Sequence, residues 1–486
     1  MHKKLLLLFI LIAPVSAFAQ RYSHYFTGTM FDSFENPSQS VFKIDTTQNM
    51  AFNFFVPNFT TNAFLTGNGV RTIKEYLFYG SSTNPGLTIG ENKFNNAGFN
   101  ANIYLAMFKL FTSLSGREEI GVSAQIRGEG GAKVTDETLG LFNGATNFTQ
   151  VPYGSLFNDS YHAQTYHQLS FTYRETLNKK FSIGIKLSAL SGIAYNSLDI
   201  TNSSASFYKS PTNLNDSVIL NLAGKYRSSF NNHPNSSDYL PTFRNPGASV
   251  SVSIEQHNED GIYIMYNIKD LGLIYWRHNT FVNSFDSTAT IGGLSTSDAG
   301  KNVNNTITNV ITAHRFASTF TTPTDGRIEI SGTKYFWLDD AKIFKYNPVF
   351  VASKQIFYRG ATGALINNFN FKTFTIGVTT SYDDLKQFDL GGQFMIKSKK
   401  AEFFIGCEQV LGANELRRAN GGNIAVIGQN SQHLSAGVFM GFALKFGHEI
   451  QSHANADYIP MGYEEDGFIK RTFKAIFFKD KPVNHD

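Results

Sequence analysis

The stretch Ala436-Gly-Val-Phe-Met-Gly-Phe-Ala-Leu-Lys-Phe446 decides the fold class. Its large apolar side chains recur at every second position, and the positions between them hold glycine, alanine, lysine and one phenylalanine. Alternation with period two is typical of a β-strand whose two faces meet different surroundings, because successive side chains point to opposite sides of a sheet. The stretch is also long enough for a tilted strand that crosses a membrane, which needs about 9 to 11 residues.

The same alternation recurs along most of the chain. It is clearest over residues 119–127, 181–188, 249–255 and 388–397. Several segments end in aromatic pairs such as Tyr275-Trp276, which is typical of the aromatic girdles at membrane interfaces. We therefore predict an all-β protein, a single closed antiparallel transmembrane β-barrel of about 14 strands. A secreted soluble β-rich protein stays open as an alternative, because strands of a β-sandwich also alternate.

The composition of the 486 residues agrees with a barrel and excludes several other classes. Charged residues make up 16%, against about 25% in soluble domains, whereas there are 46 Phe and 22 Tyr. The mean hydropathy of -0.20 argues against a helical membrane protein, and the many aromatic residues argue against disorder. A single cysteine, Cys407, excludes a disulfide scaffold. Lysine and arginine form no stripe, so we expect no nucleic-acid partner.

The first residues have the pattern of an export signal. Lys3 and Lys4 precede a short apolar run, and Ala17-Phe-Ala19 is a small-x-small cleavage site. We predict a signal peptide over residues 1–19 and one barrel domain over residues 20–486, because no linker or composition shift divides the rest. Export of a barrel predicts the outer membrane of a Gram-negative bacterium, with outer-membrane lipid as the surroundings.

Two long connections interrupt the strand pattern, at residues 196–245 and 283–326. In barrels of this type the long loops are extracellular and the short turns, such as Asn178-Lys-Lys180, are periplasmic. The connections are rich in aromatic residues, and we expect these either to cap the barrel mouth and contact a ligand or partner, or to pack within their own loop. The aromatic residues are Tyr208, Tyr226, Phe230, Tyr239, Phe243, Phe281 and Phe285.

Charged and amide residues recur on the face opposite to the apolar one. A charge that faces lipid at the midplane costs about 2 to 4 kcal/mol for Lys or Arg, so we expect these side chains to point into the lumen. They would line a permeation path or pair across the lumen and fill it. The candidate lumen-facing residues are Arg127, Arg174, Asp389, Gln393, Lys397, Glu402 and Glu408.

The sequence contains no recognisable catalytic or cofactor-binding motif. The segment from Gly293 to Lys301 resembles a phosphate loop, but it has six residues between its glycines where the motif has four. Neither Gly-x-Ser-x-Gly nor His-Glu-x-x-His occurs. We therefore expect no enzyme, no cofactor and no metal site, although a membrane-embedded hydrolase with its residues at the barrel rim stays an alternative.

Several segments resemble an uncharacterised outer-membrane β-barrel family of Bacteroidota. Asp270-Leu-Gly-Leu-Ile-Tyr-Trp276 resembles the family's Asp-Leu-Gly-Phe-Ile-x-Trp, with Leu273 in place of Phe. The other similar segments are Tyr166-His-Gln-Leu-Ser-Phe-Thr-Tyr173, residues 178–187, Asn36-Pro37, Val56-Pro57-Asn58 and residues 388–411. More distantly, the architecture is similar to fatty-acid-transporter-type barrels and to barrels of secretion and gliding systems. The resemblance implies a barrel without an assigned activity. The chain departs from the common barrel terminus, and we place the last strand at residues 473–478, before a polar tail.

Together these observations predict a non-enzymatic integral outer-membrane protein. Its function would be to pass or bind a small or hydrophobic molecule, or to serve as the barrel partner in an envelope assembly. The partners would then be lipid and either a hydrophobic ligand or an envelope-complex protein. A barrel of about 14 strands is narrower than the porins of 16 to 18 strands, so we expect no large open channel.

Overall fold

The computed structural model describes residues 25–477 except for 44–45, 80–85, 113–116, 143, 150–151, 211–215, 232–233, 235, 415–432 and 451–466. The predicted signal peptide at residues 1–19 lies outside the described residues. Among the described residues no helix is both long and apolar enough to cross a membrane.

The described strands form a closed antiparallel barrel of 14 strands, which confirms the predicted fold. The first position of the wall is shared by two short strands, which both pair with β3 on one side and β21 on the other. The wall consists of β1 (Gln48–Phe52) with β2 (Asn58–Thr66), β3 (Phe94–Phe111), β4 (Glu118–Thr135), β6 (Ser160–Asn178), β7 (Phe181–Tyr208), β9 (Pro246–His257), β10 (Ile262–Trp276), β14 (Arg327–Lys334), β16 (Phe344–Gln355), β17 (Ala361–Phe371), β18 (Phe374–Asp383), β19 (Phe388–Lys397), β20 (Ala401–Cys407) and β21 (His433–Glu449).

The remaining elements lie in the lumen or at the ends of the barrel, except for the helix at residues 468–477, which contacts the outer face of the wall. The strands outside the wall are β5 (Tyr153–Gly154), β8 (Ser217–Ser228), β11 (Phe281–Gly292), β12 (Phe316–Ala317), β13 (Phe320–Pro323) and β15 (Phe336–Trp337). The α-helices are α1 (Met30–Glu35), α2 (Val70–Tyr79), α3 (Asp136–Phe142), α4 (Ala299–Thr312) and α5 (Phe468–Phe477), and the 3₁₀-helices are Ala145–Asn147 and Ser236–Tyr239.

The two ends of the barrel differ in their connections. At one end, which we call the short-turn end, β6 joins β7 directly after Asn178 and β17 joins β18 directly after Phe371. The wall also begins and ends there, because Gln48 of β1 pairs with Glu449 of β21. The other end, the long-loop end, carries α2, α3, α4 and the connections from β7 to β9 and from β10 to β14.

The two stretches expected to be long loops contain regular structure. Strand β7 has 28 residues and continues past the wall, where its second half pairs with β8, and β8 in turn pairs with β11. Helices α3 and α4 pack on this sheet, and we call the whole unit the extension. Tyr226 and Phe285 are buried in its apolar core, so these two aromatic residues pack within their own segment. Tyr208 and Tyr239 are exposed.

The outer face of the wall is apolar. In β21 the side chain of Val438 is half exposed, whereas Phe439 and Lys445 on the other face are buried. The same division holds in β6 and β18, where Phe171 and Ile376 face outward. At the short-turn end Trp337 and its neighbours are exposed beside Tyr346, where an aromatic girdle belongs.

The prediction of a last strand at residues 473–478 is wrong. The structure has the helix α5 (Phe468–Phe477) there, and Phe478 lies outside the described residues. The physical reason is that β21 already pairs with β20 on one side and with β1 and β2 on the other, so no free edge is left for another strand.

Candidate functional site

The lumen at the short-turn end is filled by the N-terminal segment 25–43, which we call the plug. All six residues of its helix α1 are buried. The helix begins at Thr29, whose side chain accepts a hydrogen bond from the backbone N of Asp32. The Asp32 carboxylate in turn accepts from the backbone N of Thr27 at 2.8 Å and of Gly28 at 3.1 Å. These local bonds allow a short helix to persist where its length alone would not stabilise it.

Four cations of the wall donate hydrogen bonds to backbone carbonyls of the plug. The contacts are Lys109 Nζ to Ser33 O at 3.1 Å, Arg174 Nε to Ser38 O at 2.7 Å, Lys397 Nζ to Thr27 O at 2.7 Å, and Lys445 Nζ to Val41 O at 3.0 Å. Each such bond to a charged group contributes about 1.5 to 3 kcal/mol. Because the cations belong to β19, β21, β3 and β6, they hold the plug from about half of the circumference of the wall.

Carboxylates complete the fixation of the plug. The Glu35 side chain accepts from Asn102 Nδ2 at 2.7 Å and from Tyr104 Oη at 2.8 Å. The wall residue Glu402 accepts from the backbone N of Met30 at 2.5 Å. Both carboxylates are almost fully buried, so their hydrogen bonds are required to offset desolvation.

One glycine of the wall allows the plug to approach closely. A Cβ atom at Gly184 would lie 2.1 Å from the backbone carbon and oxygen of Pro37. Any side chain at this position of β7 therefore displaces the backbone of the plug.

An apolar cluster surrounds α1 on the side of the first wall strand. Phe31 contacts Tyr104 and Phe404 edge-on, with ring centroids 5.2 and 5.7 Å apart. Met107 of β3 belongs to the same cluster and is fully buried. The plug thus makes both polar and apolar contacts with β3 and β20.

The segment that resembles a family motif forms a charge cluster above the plug. Asp270 lies in a bulge of β10 with φ of +47°, and its side chain is buried in the lumen. Its carboxylate pairs with Arg127 and lies 3.0 Å from Lys186 Nζ, and it also accepts from Gln168 Nε2 at 3.2 Å. We call Asp270, Arg127 and Lys186 the charge hub. Trp276, at the end of the motif, is fully buried and donates to Thr322 Oγ1 at 2.7 Å.

The seven residues expected in the lumen occupy three places. Arg174, Lys397 and Glu402 contact the plug, and Arg127 belongs to the charge hub. The other three lie on β19 or just after β20: Asp389 is 3.1 Å from His433 Nε2, Gln393 donates to Asn368 Oδ1 at 2.7 Å, and Glu408 is buried. Whether any of them contacts a passing molecule stays a prediction.

Four further residues face the lumen that were not among the expected ones: Lys109, Lys186, Asp270 and Lys445. Lys445 lies on the polar face of the stretch that decided the fold, and Lys186 alternates with apolar neighbours in the same way. The alternation was therefore a sufficient signal for both. Asp270 lies at a bulge, where the alternation of inward and outward side chains is interrupted. Only its place in the segment Asp270–Trp276, which resembles the family motif, distinguished it in the sequence.

The wall is interrupted at its first position. Ladder pairing stops after Phe52 and resumes at Asn58, and the side chains of Phe54 and Phe55 between them are 49% and 71% exposed. Both have positive φ, of 51° and 58°. Asn53 replaces one lost ladder bond, because its Oδ1 accepts from the backbone N of Met107 at 3.0 Å. We call residues 53–57 the strand break.

An apolar groove of about 910 Å³ lies on the outer face beside the strand break. Outward side chains that are paired across neighbouring strands form rows on this face. One row is rich in alanine and the next carries large side chains, so the surface is lower over the alanine-rich row. The alanine-rich row is Ala106, Ala124, Leu169, Ala189 and Ala248, and the other is Phe108, Val122, Phe171, Leu187 and Val250. Phe52 and Phe55 close one end, and Met107 lines the groove as well as the cluster around α1.

A closed antiparallel barrel with an apolar outer face and a polar, plugged lumen defines the protein as a transmembrane β-barrel of the outer-membrane type. Residues 34–408 match a family of unknown function, DUF5723, and the chain belongs to this family. The family includes the plug from Phe34 onward and most of the wall. The predicted origin in Bacteroidota stays a prediction.

Solved structures with a similar shape are outer-membrane barrels. The toluene transporter TbuX of Ralstonia pickettii has 10% sequence identity and a TM-score of 0.39, over 86% of this chain and 93% of that one. A FadL homologue of Pseudomonas aeruginosa has 9% identity and a TM-score of 0.40, over 88% and 96%. The translocator domain of the autotransporter NalP of Neisseria meningitidis has 8% identity and a TM-score of 0.28, over 83% and 90%. No curated protein matches the chain. Similarity at this level supports no inference about function.

Proposed function

We propose that the protein resides in the outer membrane and passes a small hydrophobic molecule between the lipid and the lumen, with the plug closing the path at rest. One observation carries the proposal. The apolar groove on the outer face and the apolar cluster around α1 share Met107, at the strand break. Because the Met107 side chain is buried on the lumen side of β3, only the wall itself separates the external hydrophobic site from the apolar cluster of the plug at this position.

The strand break makes this part of the wall the easiest to open. Elsewhere, separating two wall strands breaks a continuous ladder of backbone hydrogen bonds, each worth about 1 kcal/mol net. Residues 54–57 form no ladder pair, so a shift of this segment leaves the neighbouring ladder intact. The groove has the size and apolar lining typical of small-molecule sites, which occupy about 300 to 1,000 Å³.

The lumen is unsuited to free diffusion of polar solutes. Plug and charge hub fill it at successive levels, and both are held by charged hydrogen bonds. An enzyme is disfavoured by the same arrangement, because the charged groups of the hub are committed to one another. Among the described residues no group of three or more His, Cys, Asp or Glu side chains is placed to hold a metal ion.

A role as the barrel partner in an envelope assembly is the second candidate. The extension favours it, since it has its own apolar core and projects past the wall at the end where extracellular loops belong. Tyr208, Tyr239 and Leu240 are more than half exposed at this end, as residues that contact a partner would be.

The test of passage uses a bacterial host with an intact lipopolysaccharide layer and a hydrophobic fluorescent probe, 1-N-phenylnaphthylamine. Expression of the protein is expected to speed probe uptake, and Ala124→Trp, which fills the groove, is expected to abolish the gain. Ala352→Trp is the matched control, because Ala352 is also an alanine of the outer face but lies on β16, far from the groove. Equal uptake by the two variants, at equal amounts of folded barrel, would contradict the proposal.

A further inference from the structure

The helix α5 (Phe468–Phe477) is attached to the lipid-facing side of the wall. Its first backbone amides are bound by Glu175, which accepts from Ile469 N at 2.8 Å and from Lys470 N at 3.3 Å. Tyr173 accepts from the backbone N of Phe468 at 3.2 Å. Tyr173 and Glu175 follow the exposed Phe171 on the outward face of β6, one and two pleats nearer the short-turn end.

The attachment neutralises an unfavourable pair of acids. Glu118 of β4 lies directly opposite Glu175 on the same outward face, and like charges in this position are destabilising. The Tyr173 hydroxyl lies 2.9 Å from Glu118 and 3.0 Å from Glu175. The positive end of the helix dipole at the N-terminus of α5 offsets the negative charge. Gly467 permits the approach, since a Cβ there would lie 2.2 Å from Glu118 Oε1.

The sequence of the helix fits a membrane surface. Phe468-Ile-Lys-Arg-Thr-Phe-Lys-Ala-Ile-Phe477 contains three basic and no acidic residues. Its apolar and basic positions recur with helical spacing, which is typical of helices that lie at the membrane interface. The side chain of Phe468 is 65% exposed, although Tyr173 lies beside it.

We propose that α5 lies in the headgroup layer of the leaflet at the short-turn end and binds anionic phospholipid. The location of α5 on the outer face of the wall indicates that its partner is lipid, because a soluble protein that binds there would have to displace lipid. The short-turn end of such barrels is periplasmic, so the leaflet is the inner leaflet, which consists of phospholipid. The inference requires a membrane-spanning barrel but does not depend on passage of a hydrophobic molecule.

The test places a fluorophore on the helix in the full-length protein. Phe468→Cys is made in a Cys407→Ser background, since Cys407 is the single cysteine, and is labelled with the environment-sensitive dye NBD. The labelled barrel is placed in nanodiscs of phosphatidylcholine alone or with phosphatidylglycerol. Leu365→Cys, on the outer face of β17, is the reference label position, and heat-modifiable gel mobility confirms folding.

Brominated lipid is expected to quench the dye at position 468, and the neutral aqueous quencher acrylamide to quench it on the order of threefold less in nanodiscs with phosphatidylglycerol than in phosphatidylcholine alone. Lys470→Glu with Arg471→Glu is expected to remove this dependence on lipid charge. Lys399→Glu with Lys400→Glu is the matched control, because it makes the same charge change at the turn between β19 and β20.

Three results would overturn the proposal. One is full access of acrylamide without lipid quenching. Another is lipid quenching that does not depend on lipid charge or on Lys470 and Arg471. The third is shielding that appears only after periplasmic extract is added, which would assign the helix to a protein partner.

Discussion

The charge hub makes a quantitative prediction about the stability of the barrel. Asp270 is the acid that faces two buried cations, since Arg127 and Lys186 are 2% and 1% exposed. Asp270→Ala leaves both cations without this partner in a desolvated lumen. Breaking a buried ion pair by removing one partner lowers the free energy of unfolding by about 3 to 5 kcal/mol. Because Asp270→Ala removes the partner of two buried cations, we expect a loss at the upper end of this range.

The matched variants separate this effect from ordinary loss of a hydrogen bond. Lys186→Met leaves the pair of Asp270 and Arg127 in place and is expected to cost about 1 to 3 kcal/mol. Asp389→Ala removes another buried acid, whose contacts are His433 and Ser435, and is expected to cost about 1 to 2 kcal/mol.

Stability is measured by urea unfolding of the barrel in lipid vesicles, followed by tryptophan fluorescence and by heat-modifiable gel mobility. The double variant Asp270→Ala with Arg127→Met is expected to recover part of the loss, because one stranded charge is removed with its partner. If Asp270→Ala costs no more than Lys186→Met, or if the double variant is the least stable of the set, the hub does not have the role assigned to it.

Three further predictions concern the plug, the lumen and the extension. Gly184→Val displaces the plug at Pro37 and is expected to increase the sensitivity of cells to large antibiotics, whereas Gly363→Val, where a Cβ meets no atom within 4 Å, is the control and should have no effect. The unaltered protein is expected to show no steady porin-like conductance in planar bilayers, and reproducible openings would contradict a filled lumen. At the long-loop end, burial raises the pKa of the Asp159 carboxyl to about 6. Because this pKa is higher in the folded than in the unfolded protein, the free energy of unfolding is expected to decrease as the pH rises from about 4 to about 6. Asp159→Asn should remove this decrease, as measured by urea unfolding over the same pH range.

The barrel was predictable because its information is local. In the stretch from Ala436 to Phe446 every second side chain faces outward, toward lipid, so apolar residues alternate with others along consecutive positions of the sequence. The inward direction of Lys397 and Glu402 follows from the same period and from the cost of placing charge in lipid.

The plug was not predictable because its contacts are distant in sequence. Thr27 and Lys397, or Val41 and Lys445, come together only when the barrel closes. The helix α1 has six residues, too few for a helical period to appear. The extension was missed for a related reason: both faces of β7 beyond the wall meet protein or solvent, so the lipid-facing apolar residues that mark a wall strand are absent there.

The most direct test of the account locks the plug in place. Ser38 of the plug and Ser253 of β9 have their Oγ atoms 2.5 Å apart, so Ser38→Cys with Ser253→Cys in a Cys407→Ser background can form a disulfide between plug and wall. We predict that oxidation stops uptake of 1-N-phenylnaphthylamine and that reduction restores it, with Ser38→Cys alone unaffected by either treatment. Undiminished uptake through a barrel whose disulfide has been verified would contradict the claim that the plug must move for a molecule to pass.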